Sequence, residues 1–180
     1  EKNIIFQDYF GIFPWDILPD NANGFDLGCG SGRWAEIVSE KVGYLHCIDP
    51  SEKALSVAKR NLANKKNVDF ILASVDSIPI PDNSQDFGYS LGVLHHISDA
   101  GAGLKSCTKK LKSGAPFLVY LYYALDNRSL LYRALWYVTD VFRKLICTFP
   151  DKIKRHVTDL IALTVYFTFA RLCLFLKLFG

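Results

Sequence analysis

The sequence predicts an α/β fold, a Rossmann-like parallel sheet with a helical extension, and three observations support this prediction. Short β-rich runs alternate with stretches of helical periodicity up to residue 123. The first predicted strand ends in a glycine-rich turn, and beyond residue 123 lie two long apolar helical patterns separated by Pro150. Alternating strands and helices form parallel sheets with right-handed crossovers. We therefore expect an α/β core over residues 1–123 and a helical lid or insert over residues 124–180.

Composition and periodicity place the elements of the core in order. Strands are expected at residues 24–27, 42–48, 68–73, 87–91 and 115–123. A first helix is expected at residues 33–41. A second is expected to begin after the N-cap Ser51 and to bury the stripe Leu55, Ala58 and Leu62. A third is expected to contain Leu104, Cys107 and Leu111. A segment dense in aromatic residues, from Phe6 to Trp15, precedes the first strand.

Composition and charge narrow the class of protein. The 180 residues are 50% hydrophobic, and a net charge of +3 is too weak to indicate a nucleic-acid partner. The five cysteines are an odd number, are widely spaced and form no C-x-x-C pair. This pattern argues against a disulfide framework and a zinc site, so we expect no metal and a reducing, cytoplasmic location.

The turn within residues 24–34 holds three alternating glycines, Gly28, Gly30 and Gly32, between a strand and a helix. Glycine permits positive φ and lets the backbone approach a ligand. A helix that begins near Arg33 would direct free N–H groups to the same place, where a carboxylate or phosphate is held. The spacing is G-x-G-x-G, whereas dinucleotide-binding turns have G-x-G-x-x-G. An NAD-type oxidoreductase is therefore disfavoured.

An acidic residue, Asp49, ends the second predicted strand, 17 residues beyond Gly32. A carboxylate at that strand end can accept hydrogen bonds from both hydroxyls of a ribose. The alternative for Asp49 is a helix N-cap, but Ser51 already occupies that position.

Several segments of the core resemble one enzyme family. The sequence Asp-Leu-Gly-Cys-Gly-Ser-Gly at residues 26–32 resembles the first motif of class I S-adenosylmethionine-dependent methyltransferases. Residues 82–87 and 92–97 are similar to later motifs, notably in the subgroup akin to ubiquinone and menaquinone biosynthesis methyltransferases. The resemblance covers roughly residues 20 to 123 and implies S-adenosylmethionine as the cofactor. Since the family sheet has seven strands, it also implies that the last two are missing here.

The resemblance also implies a set of cofactor-binding residues. The glycine turn would contact the methionine part, Asp49 and Pro50 the ribose, and Ser74 or Asp76 the adenine amine. Ser90 and its two successors would lie beside the sulfonium. The complete set is Asp26, Gly28, Cys29, Gly30, Ser31, Gly32, Asp49, Pro50, Ser74, Val75, Asp76, Leu91 and Gly92.

Two groups near this site have a chemical and a structural interpretation. His95, beside His96, is the candidate general base, needed only if the acceptor must lose a proton; the alternative is that both histidines cap backbone groups or fill space. Rings of the aromatic segment could shield a sulfonium by cation–π contact, or they could simply pack under a leading helix.

The tail combines an amphipathic stripe with a basic step and an apolar run. The stripe within Ser129–Cys147 consists of Leu131, Ala134, Leu135, Val138, Phe142 and Leu145. Lys152, Lys154 and Arg155 form the basic step before the uncharged residues 160–170. Because this run is shorter than the about 20 residues that cross a bilayer, a transmembrane helix is not expected. The tail is expected to be a lid over an apolar acceptor, a membrane-surface element through residues 150–180, or a plainly packed extension.

These observations predict a cytoplasmic S-adenosylmethionine-dependent methyltransferase that acts on a small, apolar or amphipathic molecule. One alternative is a non-catalytic cofactor-binding module whose helical tail docks on a membrane or a partner. The other is the NAD-type oxidoreductase disfavoured by the glycine spacing.

Overall fold

The computed structural model describes residues 2–122 and 125–179. Glu1, Tyr123, Ala124 and Gly180 lie outside the described residues, and with them the end of the fifth predicted strand and the predicted domain boundary. The chain forms two compact units, Glu1–Tyr123 and Ala124–Gly180. We call them the α/β unit and the helical unit.

The α/β unit contains a sheet of five parallel strands in the order β3-β2-β1-β4-β5. This arrangement confirms the predicted fold class. The strands are β1 (Asn23–Leu27), β2 (Tyr44–Asp49), β3 (Val68–Leu72), β4 (Phe87–Leu91) and β5 (Phe117–Tyr120).

The predicted strand positions are correct, but some of their bounds are not. β2 begins at Tyr44, two residues later than expected, because Tyr44 pairs with Asn23 at the start of β1. β5 spans four residues, fewer than expected. It has to match β4, with which it pairs from Gly88↔Phe117 to Leu91↔Tyr120. Strand ends therefore follow the neighbouring strand more closely than the β-rich composition.

Within the described residues of the α/β unit there are four α-helices, and their caps explain where two of them begin. The Ser51 side chain accepts a hydrogen bond from the Ala54 amide (3.2 Å), which confirms the predicted N-cap. Asp99 caps the last of these helices through the Ala102 amide (2.8 Å). The helices are α1 (Lys2–Phe10), α2 (Ala35–Val38), α3 (Glu52–Asn61) and α4 (Ala100–Lys110).

Two of these helices differ from the sequence prediction. α2 has four residues instead of the nine expected over residues 33–41, since the glycine turn continues into Trp34. In α4 the predicted stripe is partly wrong. Leu104 is exposed, whereas Gly103 and Cys107 are buried. A Cβ on Gly103 would lie 2.3 Å from Ile97, so glycine permits the close approach of this helix to the segment after β4.

The core consists of two apolar clusters that alternate along the strands. The first contains Leu45 and Phe87 with helices α1 to α3, and the second contains Phe25 and Ile48 with α4. Successive residues of a strand point to opposite faces. Both faces of the sheet are therefore covered by apolar residues, as buried parallel sheets require.

The aromatic segment packs into the first cluster. Phe6, Phe10 and Phe13 are almost fully buried, and the rings of Phe6 and Phe10 stack with centroids 4.3 Å apart. The Phe10 ring also meets Tyr89 of β4 edge to face at 5.2 Å. Of the two interpretations of this segment, these contacts favour packing.

The helical unit is a succession of helices with many exposed apolar residues. Ser129 caps α5 (Leu130–Cys147) through the Tyr132 amide. Pro150 then precedes α6 (Asp151–Ile161), a π-helical stretch (Ala162–Phe167) and α7 (Thr168–Phe179). The exposed side chains of α5 include Leu131, Leu135, Val138, Phe142 and Leu145 of the predicted stripe.

The sequence argument against a transmembrane helix is wrong in its premise. It counted only the uncharged run, whereas α6, the π-helical stretch and α7 follow one another as one helix. Within it, Asp151–Phe175 has 25 residues and is long and apolar enough to cross a membrane by length and composition. The described residues contain one helix of this kind, and its most apolar part is not buried against the rest of the chain.

Replacing Phe10 with alanine should lower the free energy of unfolding by about 3–5 kcal/mol, the usual cost of truncating a buried aromatic residue. Ile12→Ala is the matched control, because Ile12 is 84% exposed and should cost less than about 1 kcal/mol. Urea denaturation of both variants measures the difference. Equal costs would show that α1 is not part of the core.

Candidate functional site

The carboxyl ends of β1, β2 and β4 meet at one edge of the sheet. The strand order reverses between β1 and β4, since β2 lies on one side of β1 and β4 on the other. In open α/β sheets, ligands bind in the crevice at this reversal. The predicted cofactor residues lie at the carboxyl ends of these three strands or follow β3, so the topology brings them to the same edge of the sheet.

The two central strands separate at this edge. Their ladder runs from Gly24↔Phe87 to Asp26↔Tyr89 and stops before the last residues of either strand. Beyond it, the buried Ser90 hydroxyl donates a hydrogen bond to the Leu27 carbonyl (3.1 Å). Ser90 therefore ties the strands together at the point where their backbones part.

The glycine turn after β1 has the backbone that glycine was expected to allow. Gly28, Gly30 and Gly32 have φ values of 76°, 53° and 78°, and Gly92, after β4, has 74°. This left-handed region is costly for residues with a Cβ. Positive φ therefore explains glycine at all four positions.

The space around these glycines distinguishes two pairs. A Cβ on Gly28 would lie 2.3 Å from Val93, and one on Gly32 would lie 2.8 Å from Leu62. These two glycines allow protein to pack on protein. A Cβ on Gly30 or Gly92 would meet no heavy atom within 4 Å. Gly30 and Gly92 thus face open space, one at the end of each central strand.

Asp49 joins the turn after β1 to the turn after β2. One carboxylate oxygen accepts a hydrogen bond from the Gly30 amide (2.9 Å), and the other accepts one from the Ser51 amide (2.9 Å). The side chain is largely buried. Each carboxylate oxygen has a further lone pair, so this clamp leaves acceptor capacity for a ligand. The sequence argument did not foresee the clamp.

Asp26 is a buried carboxyl group beneath the turn. One of its oxygens and the Tyr89 hydroxyl are shielded from water without a hydrogen-bond partner among the described residues. Burial raises the pKa of Asp26 to about 7; the Tyr89 side chain opposes this rise, and the Asp49 carboxylate adds to it. Near neutral pH, Asp26 is therefore poised between its protonated and ionised forms.

The other predicted residues of the first turn lie around this clamp. Ser31 is exposed, and its carbonyl accepts a hydrogen bond from Asn61 (2.9 Å). Cys29 is buried beside Cys47, and the Cys29 side chain together with burial raises the pKa of the Cys47 thiol. This environment favours Cys29 as a packing residue over a reactive thiol. Pro50 is exposed next to Asp49.

The segment after β3 contains the two candidates for the adenine amine. The Ser74 hydroxyl is half-buried and lies 3.2 Å from the Ser77 hydroxyl, while Asp76 is exposed. Val75 between them is buried and packs in the second core cluster. Val75 therefore fixes the segment, and the two polar candidates differ in exposure.

His95 lies in an aromatic group after β4. Its ring centroid is 4.1 Å from that of Tyr122 and 4.0 Å from that of His96. Both of its ring nitrogens are shielded from water and have no hydrogen-bond partner among the described residues. Burial and the neighbouring His96 lower the pKa of His95. Its imidazole is therefore neutral at neutral pH and able to accept a proton.

Sequence reasoning missed two residues of this region. Tyr122 was assigned only to a strand, although it follows β5 and contacts His95. The run Tyr120-Leu121-Tyr122 at the predicted strand end was the available signal. Tyr89 was missed because its place opposite Asp26 depends on the register of β1 and β4, which no local pattern gives.

Comparison with known proteins agrees with this geometry. Residues 25–119, more than half of the chain, match the methyltransferase domain family. The chain belongs to this family.

Two relatives and one solved structure illustrate the similarity. The ubiquinone biosynthesis O-methyltransferase of Nitrosomonas europaea is 29% identical over 106 residues, 58% of this chain and 43% of that protein. The ubiquinone/menaquinone biosynthesis C-methyltransferase of Shewanella woodyi is 30% identical over 101 residues, 52% of this chain and 40% of that protein. The S-adenosylmethionine-dependent methyltransferase structure from Mesorhizobium loti has a TM-score of 0.50 at 28% identity, covering 57% of this chain and 48% of that one. This chain spans less than half the length of each.

The residues present fit S-adenosylmethionine, the cofactor of this family. Gly30 and Gly92 leave open space at the ends of the two central strands. The carboxyl groups of Asp26 and Asp49 lie close enough for one to affect the pKa of the other, which suits a ligand that carries positive charge. S-adenosylmethionine has no pyrophosphate. This agrees with Arg33 at the position where a dinucleotide-binding turn has its third glycine.

Replacing Asp26 with asparagine should change how stability depends on pH. In the native state Asp26 keeps its proton up to about pH 7, whereas the unfolded chain releases it near 3.8. The free energy of unfolding should therefore fall as pH rises from about 4 to 7, by an amount on the order of 4 kcal/mol. Asp26→Asn should remove this fall, as measured by denaturation without cofactor.

Asp82→Asn is the control for that experiment. The salt bridge to Lys110 lowers the pKa of the exposed Asp82 carboxyl. This carboxyl group stays ionised between pH 5 and 8 in both the native and the unfolded state. Its removal should therefore leave the slope of the free energy of unfolding against pH unchanged in that range. An unaltered slope in Asp26→Asn would show that Asp26 does not titrate near neutral pH.

Proposed function

We propose that this chain is the cofactor-binding part of an S-adenosylmethionine-dependent methyltransferase that acts on a small, apolar or amphipathic acceptor. The observation that carries the proposal is the open space at Gly30 and Gly92, two glycines of positive φ at the ends of the central strands. Asp49, clamped next to Gly30, offers acceptor oxygens at the same edge. Backbone approach and carboxylate acceptors are what a nucleoside with a charged amino-acid tail requires.

When bound, the cofactor supplies an activated methyl group for an in-line displacement. The chain then has to position the acceptor, exclude water and, for a hydroxyl acceptor, take up its proton. In this proposal Asp49 binds the ribose and the glycine turn approaches the methionine part. Ser74 or Asp76 binds the adenine amine. Leu91 and Gly92 lie beside the reacting methyl group.

His95 is the proposed general base. Its neutral imidazole has unpartnered ring nitrogens and lies at the carboxyl end of β4, which is also the end that carries Gly92. The Tyr122 ring lies against it at an interplanar angle of 32°, and Tyr120 meets Tyr122 edge to face at 6.1 Å. An aromatic group of this kind favours a flat, apolar acceptor by stacking. The quinone-biosynthesis names of the two relatives agree with such an acceptor.

Two further parts of the proposal concern the surroundings of the enzyme. The three buried cysteines and the two exposed ones are all free, which supports a reducing, cytoplasmic location for the α/β unit. The assignment of residues 124–180 as a lid or insert, and peripheral membrane contact through residues 150–180, stay predictions.

Calorimetry with S-adenosylmethionine and NAD tests the cofactor. The native chain should bind the former and give no saturable heat with the latter. Gly30→Ala should weaken S-adenosylmethionine binding about ten-fold or more, because its Cβ would occupy the open space and strain the turn.

Gly114→Ala is the matched control for Gly30→Ala. Gly114 also has positive φ (80°) and open surroundings, but it precedes β5 at the opposite end of the sheet. Its replacement should cost similar stability and leave cofactor affinity unchanged. Equal affinity in all three proteins would remove the turn from the binding site, and preference for NAD would overturn the proposal.

His95→Asn should lower methyl transfer to a phenolic or quinol acceptor by about 10²–10⁴-fold, the usual contribution of a general base. S-adenosylmethionine affinity should not change. In the native chain, activity should rise with pH through an apparent pKa below the ordinary histidine value, because the pKa of His95 is lowered. His96→Asn, at the exposed neighbour, is the control. An unchanged rate and pH profile in His95→Asn would assign His95 a packing role.

A further inference from the structure

The helix that begins at Asp151 is long enough to enter a lipid bilayer. Its 25 residues to Phe175 correspond to about 37 Å at 1.5 Å per residue, while the hydrocarbon core of a bilayer is about 30 Å thick. The part from Leu160 to Phe175 contains one charged residue, Arg171. Length and composition therefore allow deep insertion.

The apolar side chains of this part point in every direction around the helix axis. At 100° per residue, Leu160, Val165 and Tyr166 lie on three different sides, and all three are exposed. The other exposed apolar residues fill the sides between them: Ile161, Leu163, Phe167, Phe169, Leu172, Leu174 and Phe175. A groove on a protein covers one stripe of a helix, whereas a helix apolar on all sides suits lipid.

The part before Leu160 is different and suits the lipid headgroups. Between Asp151 and Asp159 it carries the basic step of Lys152, Lys154 and Arg155. Residues 124–180 hold nine Lys or Arg and four Asp or Glu, whereas residues 1–123 hold twelve and fourteen. The positive charge of the chain is thus concentrated beside its most apolar helix, where an anionic membrane surface attracts it.

α5 has the form of a helix that lies in a membrane surface. Asp140 forms salt bridges with Lys144 (2.8 Å) and Arg143 (2.5 Å), so these three charges lie on one side of the helix with a net charge of +1. The exposed stripe that includes Leu131 and Phe142 lies on the other side. An amphipathic helix with basic residues binds with its apolar face in the headgroup boundary.

We propose that the helical unit anchors this protein to a lipid bilayer, with residues 160–175 in the hydrocarbon and the basic step of α6 at the headgroups of anionic lipids. The Arg171 guanidinium lies 5.0 Å from the centre of the Phe167 ring, and in a bilayer its long side chain would extend toward the headgroups. This anchoring does not depend on whether the α/β unit transfers a methyl group.

Two native cysteines provide the test. Cys147 and Cys173 are exposed, whereas Cys29, Cys47 and Cys107 are buried. Cys173 lies within the segment proposed to enter the hydrocarbon. Cys147, at the end of α5, lies on the side of Arg143 and Lys144 and should stay in water. In the test, the chain is bound to phosphatidylcholine vesicles that contain about 30% phosphatidylserine, an anionic lipid of the cytoplasmic leaflet. The bound chain is then treated with a charged maleimide.

Labelling of Cys173 should slow about ten-fold or more on vesicles relative to detergent-free solution, while labelling of Cys147 should change little. The vesicle-bound chain should also resist extraction by 1 M salt and by alkaline carbonate, because hydrocarbon insertion is not screened by ions. Release by salt, with Cys173 fully labelled, would reduce the interaction to surface attraction and overturn insertion. Slow labelling of Cys173 in the absence of vesicles would show that the helix packs against a second copy of the chain. This result would also overturn the insertion proposal.

A pair of double variants checks the same point by flotation. Leu163→Glu with Phe169→Glu should lower the vesicle-bound fraction about ten-fold or more, since two charges would enter the hydrocarbon. Ile17→Glu with Leu104→Glu places the same charges on exposed apolar sites of the α/β unit and should leave flotation unchanged. Equal flotation of both variants, with unchanged helix content by circular dichroism, would contradict the proposal.

Discussion

The two hydrogen bonds from backbone amides to the Asp49 carboxylate hold the candidate site together. They join the turn after β1, through Gly30, to the start of α3, through Ser51. They reinforce the backbone hydrogen bond from the Gly28 amide to the Ile48 carbonyl (2.7 Å), which also ties the turn after β1 to β2. The positive φ of Gly30 turns its amide toward Asp49 and leaves the opposite side open. Asp49 is thus both a structural clamp and a candidate ligand, and its replacement changes the turn as well as the binding surface.

The residues proposed for this site can be chosen from the sequence because their signals are local. The alternating glycines, the acidic residue at the end of β2 and the bounds of β4 can each be identified in a short segment. The features that sequence analysis missed depend on how distant segments pack. They are the place of Tyr89 beside Asp26, the contact of Tyr122 with His95, and the exposure of Leu104. Burial of Asp26 in particular requires the register of two strands, so its raised pKa has no signal in composition. The aromatic segment left two interpretations open, since packing and cation–π contact use the same residues.

The sequence argument against a membrane helix counted too short a segment. A count of uncharged residues stops at Arg171, but a helix continues through a single charge when its neighbours offset the cost. A central arginine costs about 2.5–3.5 kcal/mol on insertion scales, and Leu, Ile, Val and Phe each return about 0.3–0.6 kcal/mol. Residues 160–175 contain nine of these apolar residues. Their sum, about 3–5 kcal/mol, matches or exceeds the cost of Arg171, and the basic step adds attraction to anionic lipids.

Charge and apolarity are divided between the two units, and this division bears on how an apolar acceptor would be found. The α/β unit carries a small excess of acidic residues, which gives it no attraction of its own to an anionic bilayer. Under the anchoring proposal, membrane binding therefore depends on the helical unit. An apolar acceptor partitions into lipid and is scarce in water. An enzyme tethered to the bilayer therefore encounters the acceptor at a higher effective concentration than an enzyme in solution does. This gain requires no new contact between the acceptor and the active site. If both proposals hold, removing the anchor should impair turnover of lipid-dissolved acceptors and leave cofactor affinity and turnover of a water-soluble acceptor unchanged.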